Sequence, residues 1–369
     1  LYPHSGKKDA EFFRKKCYNL ISPTNRSVVS MRTKAILITG ANGEVGHGLI
    51  RQLAEMGSMP PVIVLDIRGL DEAIRPMVYE TKIGDILDTN LLENLINEYE
   101  IVTIYHLAAL LSTNSEFNPE VAHRVNVQGT VNLLHLATVQ SRLRGAPVQF
   151  IFPSSIAIYG MPDLKTKAAA GAVLEDQYNT PTTMYGCNKL YCEHLGRYYT
   201  FHYQQLAAAA SPGVDFRAVR FPGLISALTT PTGGTSDYAP EMVHAAAQGL
   251  PYKSFVREDT QIPFMVMPDA ITALLNLAHT PAEKLSRRIY NVTAFSPTAA
   301  DLRRHTIAAF PGAQITYEPH LKRQAIVDSW PLDIDDRAAR ADWGWKPEYD
   351  FERGFGEYLI PRIRERYRR

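Results

Sequence analysis

Short apolar blocks alternate with longer amphipathic stretches over the first 220 or so residues of this chain. Residues 34–39, 62–66, 102–107, 148–152 and 216–220 are compact runs rich in Val, Ile, Leu and Phe. Runs of that length without polar alternation read as strands buried on both faces, as parallel strands are. Between them, residues 46–56, 87–99, 119–142 and 182–209 repeat their apolar positions at helical spacing. Strands alternating with helices predict an α/β fold, a doubly wound parallel sheet. Beyond about Pro222 the pattern breaks into loops, short strands and helices. That part is expected to form a smaller α/β lobe over the carboxyl ends of the strands, where open α/β sheets bind ligands.

Composition narrows the function classes. A formal charge of +1 gives no basic face for nucleic acid. No apolar run is long enough to span a membrane. Cys17, Cys187 and Cys192 have neither disulfide nor metal spacing, and no metal site is expected. Residues 1–30 differ from the rest, because Lys7, Lys8, Arg14, Lys15, Lys16 and Arg26 outweigh Asp9 and Glu11. They read as a basic arm or as a mitochondrial presequence, with a cytoplasmic location as the alternative.

Two signatures carry chemistry. The first is Thr39-Gly40-Ala41-Asn42-Gly43-Glu44-Val45-Gly46, between the first strand and the first helix. Gly40 permits the tight turn, Gly43 lets the backbone approach a pyrophosphate, and Gly46 lets helix and strand pack closely. The helix N-terminus then offers free N–H groups to phosphates. Asp66 ends the second strand, placed to bind ribose hydroxyls and to repel a 2′-phosphate, so NAD is favoured over NADP. Arg68 nearby argues the other way. Asp85 and Ile86 are expected at the adenine, and Leu107, Ala108 and Ala109 supply a small-residue passage for the cofactor. Asn126 is expected to be buried and hydrogen-bonded near it.

The second signature is Tyr185-Gly186-Cys187-Asn188-Lys189. Tyr and Lys four apart share a helix face. The ammonium is expected to lower the phenol pKa and make Tyr185 a general base. Upstream, Ser154 and Ser155 follow the fifth strand, where one hydroxyl points into the cleft and orients the substrate oxygen.

Together these residues resemble the extended short-chain dehydrogenases, the Rossmann-like family that includes UDP-sugar epimerases and dehydratases. That resemblance makes Ser155 the catalytic serine and has Lys189 also hold the nicotinamide ribose. A narrower resemblance is to the short-chain L-threonine 3-dehydrogenases. It rests on the runs from His106 to Ser112, Arg220 to Ser226, Gly233 to Ala239, Ile289 to Thr293, Gln324 to Pro331 and Asp335 to Trp345. It implies NAD-dependent oxidation of L-threonine at C3 to 2-amino-3-oxobutanoate, and a homodimer built through the two long helices. Pro222 and Leu224 join the cofactor site on this reading. Ser112, Thr235 and Ser236 offer hydrogen bonds to an amino acid. Asp237 opposes its ammonium, orders the loop, or caps the following helix. Segments 165–173 and 204–212 appear longer than the family pattern.

The expected organisation is therefore an arm over 1–30, a dinucleotide-binding Rossmann domain over 31–222, and a mostly substrate-binding lobe over 223–369 that returns in part to the first domain. A UDP-sugar epimerase or dehydratase is the alternative enzyme. Ile156 and Ala157 stand where a dehydratase wants an acid–base pair. A non-catalytic NAD-sensing protein is the alternative of another class, and an intact Ser155, Tyr185 and Lys189 speaks against it.

Overall fold

The computed structural model describes residues 32–57, 59–207, 213–231 and 233–367. The basic stretch 1–30 lies outside the described residues, and so does the presequence reading that rests on it.

The first strand shows how the sheet is built. β1, Thr33–Thr39, sends Ala35 and Leu37 to one face and Ile36 and Ile38 to the other. All four are buried, so the period-two alternation of a strand puts apolar groups into two separate cores. β2 (Val62–Asp66), β3 (Glu80–Ile83), β4 (Tyr99–His106) and β5 (Val148–Ser155) follow. A two-residue strand β6 (Ala172–Val173) lies outside the main sheet, and β7 (Val214–Phe221) returns to it. The lobe then contributes β8 (Gly223–Ile225), β9 (Tyr252–Ser254), β10 (Phe264–Val266), β11 (Ile289–Asn291), β12 (Ile315–Tyr317) and β13 (Asp333–Ile334).

The seven-stranded sheet has the order β11-β7-β5-β4-β1-β2-β3, with every pair parallel. Chain direction across the sheet reverses between β1 and β4. A crevice at their carboxyl ends is the standard ligand position of such sheets. β11 comes from the lobe's sequence yet completes the sheet edge beside β7. The helix Met267–His279 likewise packs on the first helix, where Ile271 and Met267 face Gly48. The remaining pairs, β10 with β8, β12 with β9 and β13 with β6, are small parallel ribbons that shape the lobe.

Two helices differ from their sequence outline. The long helix after β4 is interrupted by a π turn over Arg124–Gln128. A π turn rotates the side chains after it, and here it lies at buried Asn126. The helix carrying Tyr185 spans Met184–Phe201 and stops well before Ala209. His202 leaves helical geometry, Gln204 takes a left-handed φ of 52°, and Tyr203 folds back to stack on Tyr199 at 4.5 Å. Aromatic stacking and the Arg142 to Gln204 hydrogen bond of 2.7 Å replace further helical turns. Ala207 lies in this bend, and the rest of the alanine run falls outside the described residues.

Candidate active site

The 40–46 turn is built by exclusion. Gly40 has φ +70°, and a Cβ there would stand 2.5 Å from the Ala108 backbone nitrogen. At Gly46 a Cβ would fall inside the Ala41 carbonyl group. These two glycines hold the turn against β4 and the first helix against the turn. The helix Glu44–Met56 starts at Gly43 with no side-chain cap, which leaves its first N–H groups for an anion. Asn42 fixes the opposite wall. Its amide donates to the Gly69 carbonyl at 2.9 Å, and its oxygen accepts from the Asp71 N–H at 3.0 Å. Asp66 accepts from the backbone N–H groups of Asn42 at 3.0 Å and Arg68 at 3.1 Å. Its carboxylate therefore orders the turn, and it also lines the cavity with acceptor capacity left.

That cavity, of about 1030 Å³, runs along the carboxyl ends of the strands. Gly40, Asn42, Gly43, Glu44, Val45 and Gly46 line it from the first turn. Asp66, Asp85 and Ile86 line it from the ends of β2 and β3, and Leu107, Ala108 and Ala109 from the end of β4. Pro222 and Leu224 line it beside β8. Ser155, Tyr185 and Lys189 close its centre, with Ser112, Ser236 and Asp237 at the lobe side. Burial raises the Glu44 carboxyl pKa, and nearby Asp237 adds to the rise.

Two expected residues stand behind the wall. Asn126 is buried; its oxygen accepts from the Leu110 N–H at 2.7 Å and its amide donates to the Leu110 carbonyl at 3.0 Å. It splints the loop after β4 and has no surface on the cavity. Thr235 is buried as well. Its hydroxyl donates to Ser112 Oγ at 3.2 Å, and its N–H points to the same oxygen at 3.3 Å. The hydroxyl expected to meet an amino acid is thus committed to holding two loops together.

Asp237 occupies the cap position of the helix Tyr238–Ala247, but its side chain makes no cap hydrogen bond. It reaches back to the Gly234 N–H at 2.7 Å, which orders the loop. Arg323 holds the same loop from outside. It donates to the Gly234 carbonyl at 2.8 Å while lying over the Phe255 ring, 3.3 Å from its centroid. Sequence spacing carried no signal for this arginine.

At the centre, Thr183 caps the Tyr185 helix by accepting from the Gly186 N–H at 3.1 Å. Lys189 Nζ donates to the Pro153 carbonyl at 2.6 Å and stands 5.5 Å from the Tyr185 ring centroid. Burial pushes the Lys189 pKa down to about 8. Burial also drives the Tyr185 phenol well above its ordinary value. The expectation that the Lys189 ammonium brings the phenol pKa down is overturned, since the phenol lies above its ordinary value. Desolvation of the phenol outweighs an ammonium that is itself desolvated and held by a carbonyl.

The two serines separate by partner. Ser154 donates to Glu193 at 2.6 Å, inside a buried pair in which Glu193 binds Arg220 through two bonds of 2.9 and 2.7 Å. Among the described residues Ser155 Oγ accepts only from the Ala157 N–H, at 3.1 Å, which leaves its own proton for the cavity it lines. His106 bridges Thr39 and Thr130 at 2.8 and 2.9 Å, and burial lowers its pKa to about 3. It is a neutral brace between the turn and the π-interrupted helix.

Trp330 was not singled out from the sequence as a site residue. It lines the cavity, is 4% exposed, and its indole N–H has no partner among the described residues. A buried donor without an acceptor is costly unless a ligand supplies one. Among the described residues no cluster of His, Cys, Asp and Glu could hold a metal ion, and no helix is long and apolar enough to cross a membrane.

Residues 36–293 match the NAD dependent epimerase/dehydratase family. The chain belongs to that family. Within it, the chain is 35% identical over 318 residues to the mitochondrial L-threonine 3-dehydrogenase of Bos taurus, covering 85% of this chain and 79% of the bovine one. Among solved structures, a monomeric L-threonine 3-dehydrogenase from a metagenome aligns with a TM-score of 0.79 at 34% identity, over 90% of this chain and 100% of that one. The holo form of the L-threonine dehydrogenase from Cupriavidus necator aligns with a TM-score of 0.76 at 36% identity, over 90% and 100% of the two chains. The family uses a nicotinamide cofactor. The uncapped N-terminus at Gly43 and the acidic end of β2 fit such a group.

Proposed function

We propose that this protein is an NAD-dependent L-threonine 3-dehydrogenase, oxidising the secondary alcohol at C3 of L-threonine to give 2-amino-3-oxobutanoate. One observation carries the reading: Ser155, Tyr185 and Lys189 line the same cavity as the 40–46 turn. Relatives that bear this name match nearly the whole chain. When bound, oxidised NAD supplies the hydride acceptor and a positive charge within the cavity.

The chain's own groups do the rest. Tyr185 takes the proton from the C3 hydroxyl. Ser155 donates to the same oxygen and orients it. Lys189, whose helix is pinned to β5 through Pro153, contributes the ammonium that favours a phenolate and holds the cofactor ribose. Asp66 selects NAD, because a 2′-phosphate would meet its carboxylate. Ser112, Ser236, Asp237 and Trp330 surround the amino acid, with Thr235 and Asn126 bracing the loops behind. Dinucleotide binding falls to residues 31–222 and substrate recognition mostly to 223–369.

A homodimer through the long helices is part of the proposal. Tyr191, Tyr198 and Phe201 are exposed along the Tyr185 helix, as an apolar contact requires. Sedimentation of the purified protein tests it. A mitochondrial location is supported by the bovine relative, and imaging of the tagged chain with and without residues 1–30 tests that. The activity is tested by NADH formation with L-threonine, set against interconversion of UDP-glucose and UDP-galactose, which is redox-neutral and is followed by the sugar product itself. Turnover with a UDP-sugar and none with L-threonine would reverse the assignment.

A further inference from the structure

A second cavity, of about 170 Å³ and with its own set of lining residues, lies between the helix Leu164–Ala170 and the carboxyl end of the helix Leu321–Asp328. The first of these helices falls in the segment that is long for the family pattern. Its Lys167 has a side chain buried to 3% exposure. An ammonium has three N–H donors. Among the described residues this one has a single hydrogen-bond acceptor, the Val327 carbonyl at 3.1 Å. Burial lowers its pKa to about 8, so it still carries charge at neutral pH.

The other charged groups of the wall fix the sign of a fitting ligand. Arg257 is taken by Asp328, through bonds of 2.9 and 3.0 Å, and by Asp259 at 3.0 Å. Two cations therefore face two carboxylates, and the wall sums to zero. A bare anion would pair with Lys167 but meet Asp259 and Asp328. A bare cation would pair with Asp259 but meet Lys167. A zwitterion satisfies both sides. Leu164, Ala168 and Leu332 offer an apolar surface for a short side chain.

From this arrangement we infer that the cavity is a binding site for a small aliphatic α-amino acid, its carboxylate on Lys167 and its ammonium on Asp259. The occupant sits at one end of the helix whose other end carries Arg323 and, through it, the loop at Gly234. That connection gives the site a route to the active-site cavity.

Calorimetric titration of the full chain with L-alanine, without nicotinamide cofactor, tests the inference independently of any turnover. Acetate and methylammonium serve as the two halves of the probe. L-Alanine is expected to bind saturably and each half at least tenfold more weakly. Lys167→Met should weaken L-alanine by about ten- to a hundredfold, the worth of a charge-assisted hydrogen bond. Ala168→Phe fills the cavity from its exposed side and leaves Lys167 in place, so it should abolish binding even where Lys167→Met fails to fold. Asp237→Asn, in the other cavity, should leave this binding unchanged. No saturable binding, acetate binding as tightly as L-alanine, or binding that survives Ala168→Phe or is lost in Asp237→Asn each overturns the site.

Discussion

Lys189 and Tyr185 share a helix face, yet the lysine's ammonium is bound to the Pro153 carbonyl at 2.6 Å and stands 5.5 Å from the tyrosine ring centroid. The lysine therefore ties the helix to the strand that carries Ser155, and its charge acts on the phenol through space. Tyr185→Phe removes the proposed proton acceptor and keeps the ring. Turnover should fall by about 10²–10⁴, the usual worth of a general base. Cofactor affinity should hold. Near-normal turnover in this variant removes Tyr185 from the mechanism.

The pH profile follows from the same pair. Burial raises the Tyr185 pKa, so the phenolate fraction grows as pH rises. Lys189 has a pKa of about 8 and is mainly charged at neutral pH, where it favours the phenolate. The kcat/KM is expected to climb from neutral to alkaline pH. Lys189→Met removes the ammonium, so the rising limb should move to higher pH. A flat profile, or a limb displaced towards acid, contradicts this sign.

On the proposed reading cofactor choice rests on Asp66, whose carboxylate accepts from two backbone N–H groups and also faces the cavity. Wild-type protein should use NADP poorly. Asp66→Ala should narrow the difference between NAD and NADP, with some loss of stability because two turn hydrogen bonds go with it. A wild-type preference for NADP would shift the assignment to Arg68.

Asp237 bonds the Gly234 N–H at 2.7 Å, a contact that an asparagine oxygen also makes. Asp237→Asn should therefore keep the loop and the melting temperature. If the carboxylate opposes the substrate ammonium, the KM for L-threonine should rise about ten- to a hundredfold, from a bond worth roughly 1.5–3 kcal/mol. Unchanged KM at unchanged melting temperature assigns Asp237 to loop order alone.

Much of this architecture was legible before the structure, because buried parallel strands write themselves as short apolar runs. β2 falls on residues 62–66 as expected, and the 40–46 turn, Asp66, Ser155 and the Tyr185 helix all reach one cavity. What stayed hidden depends on contacts far apart in sequence. The Tyr185 helix ends early at His202, where Arg142, sixty-two residues away in sequence, binds Gln204 and Tyr203 folds back on Tyr199. Thr235 turns to Ser112, more than a hundred residues away, and Asn126 to Leu110. Lys189's effect on Tyr185 was read from spacing, and spacing says nothing of desolvation. Arg323 lies in a helix with no local motif, and Trp330 lies in the run from Gln324 to Pro331, which carries the family resemblance but gives no sign that its indole reaches the cavity.

The central claim is that hydride leaves C3 of L-threonine for the nicotinamide ring. L-Threonine deuterated at C3 tests it most directly, by mass spectrometry of the reduced cofactor. The account predicts one deuterium in the NADH formed, with none in NADH from unlabelled substrate. NADH formed without deuterium, or no NADH at all while a UDP-sugar is turned over, would contradict it.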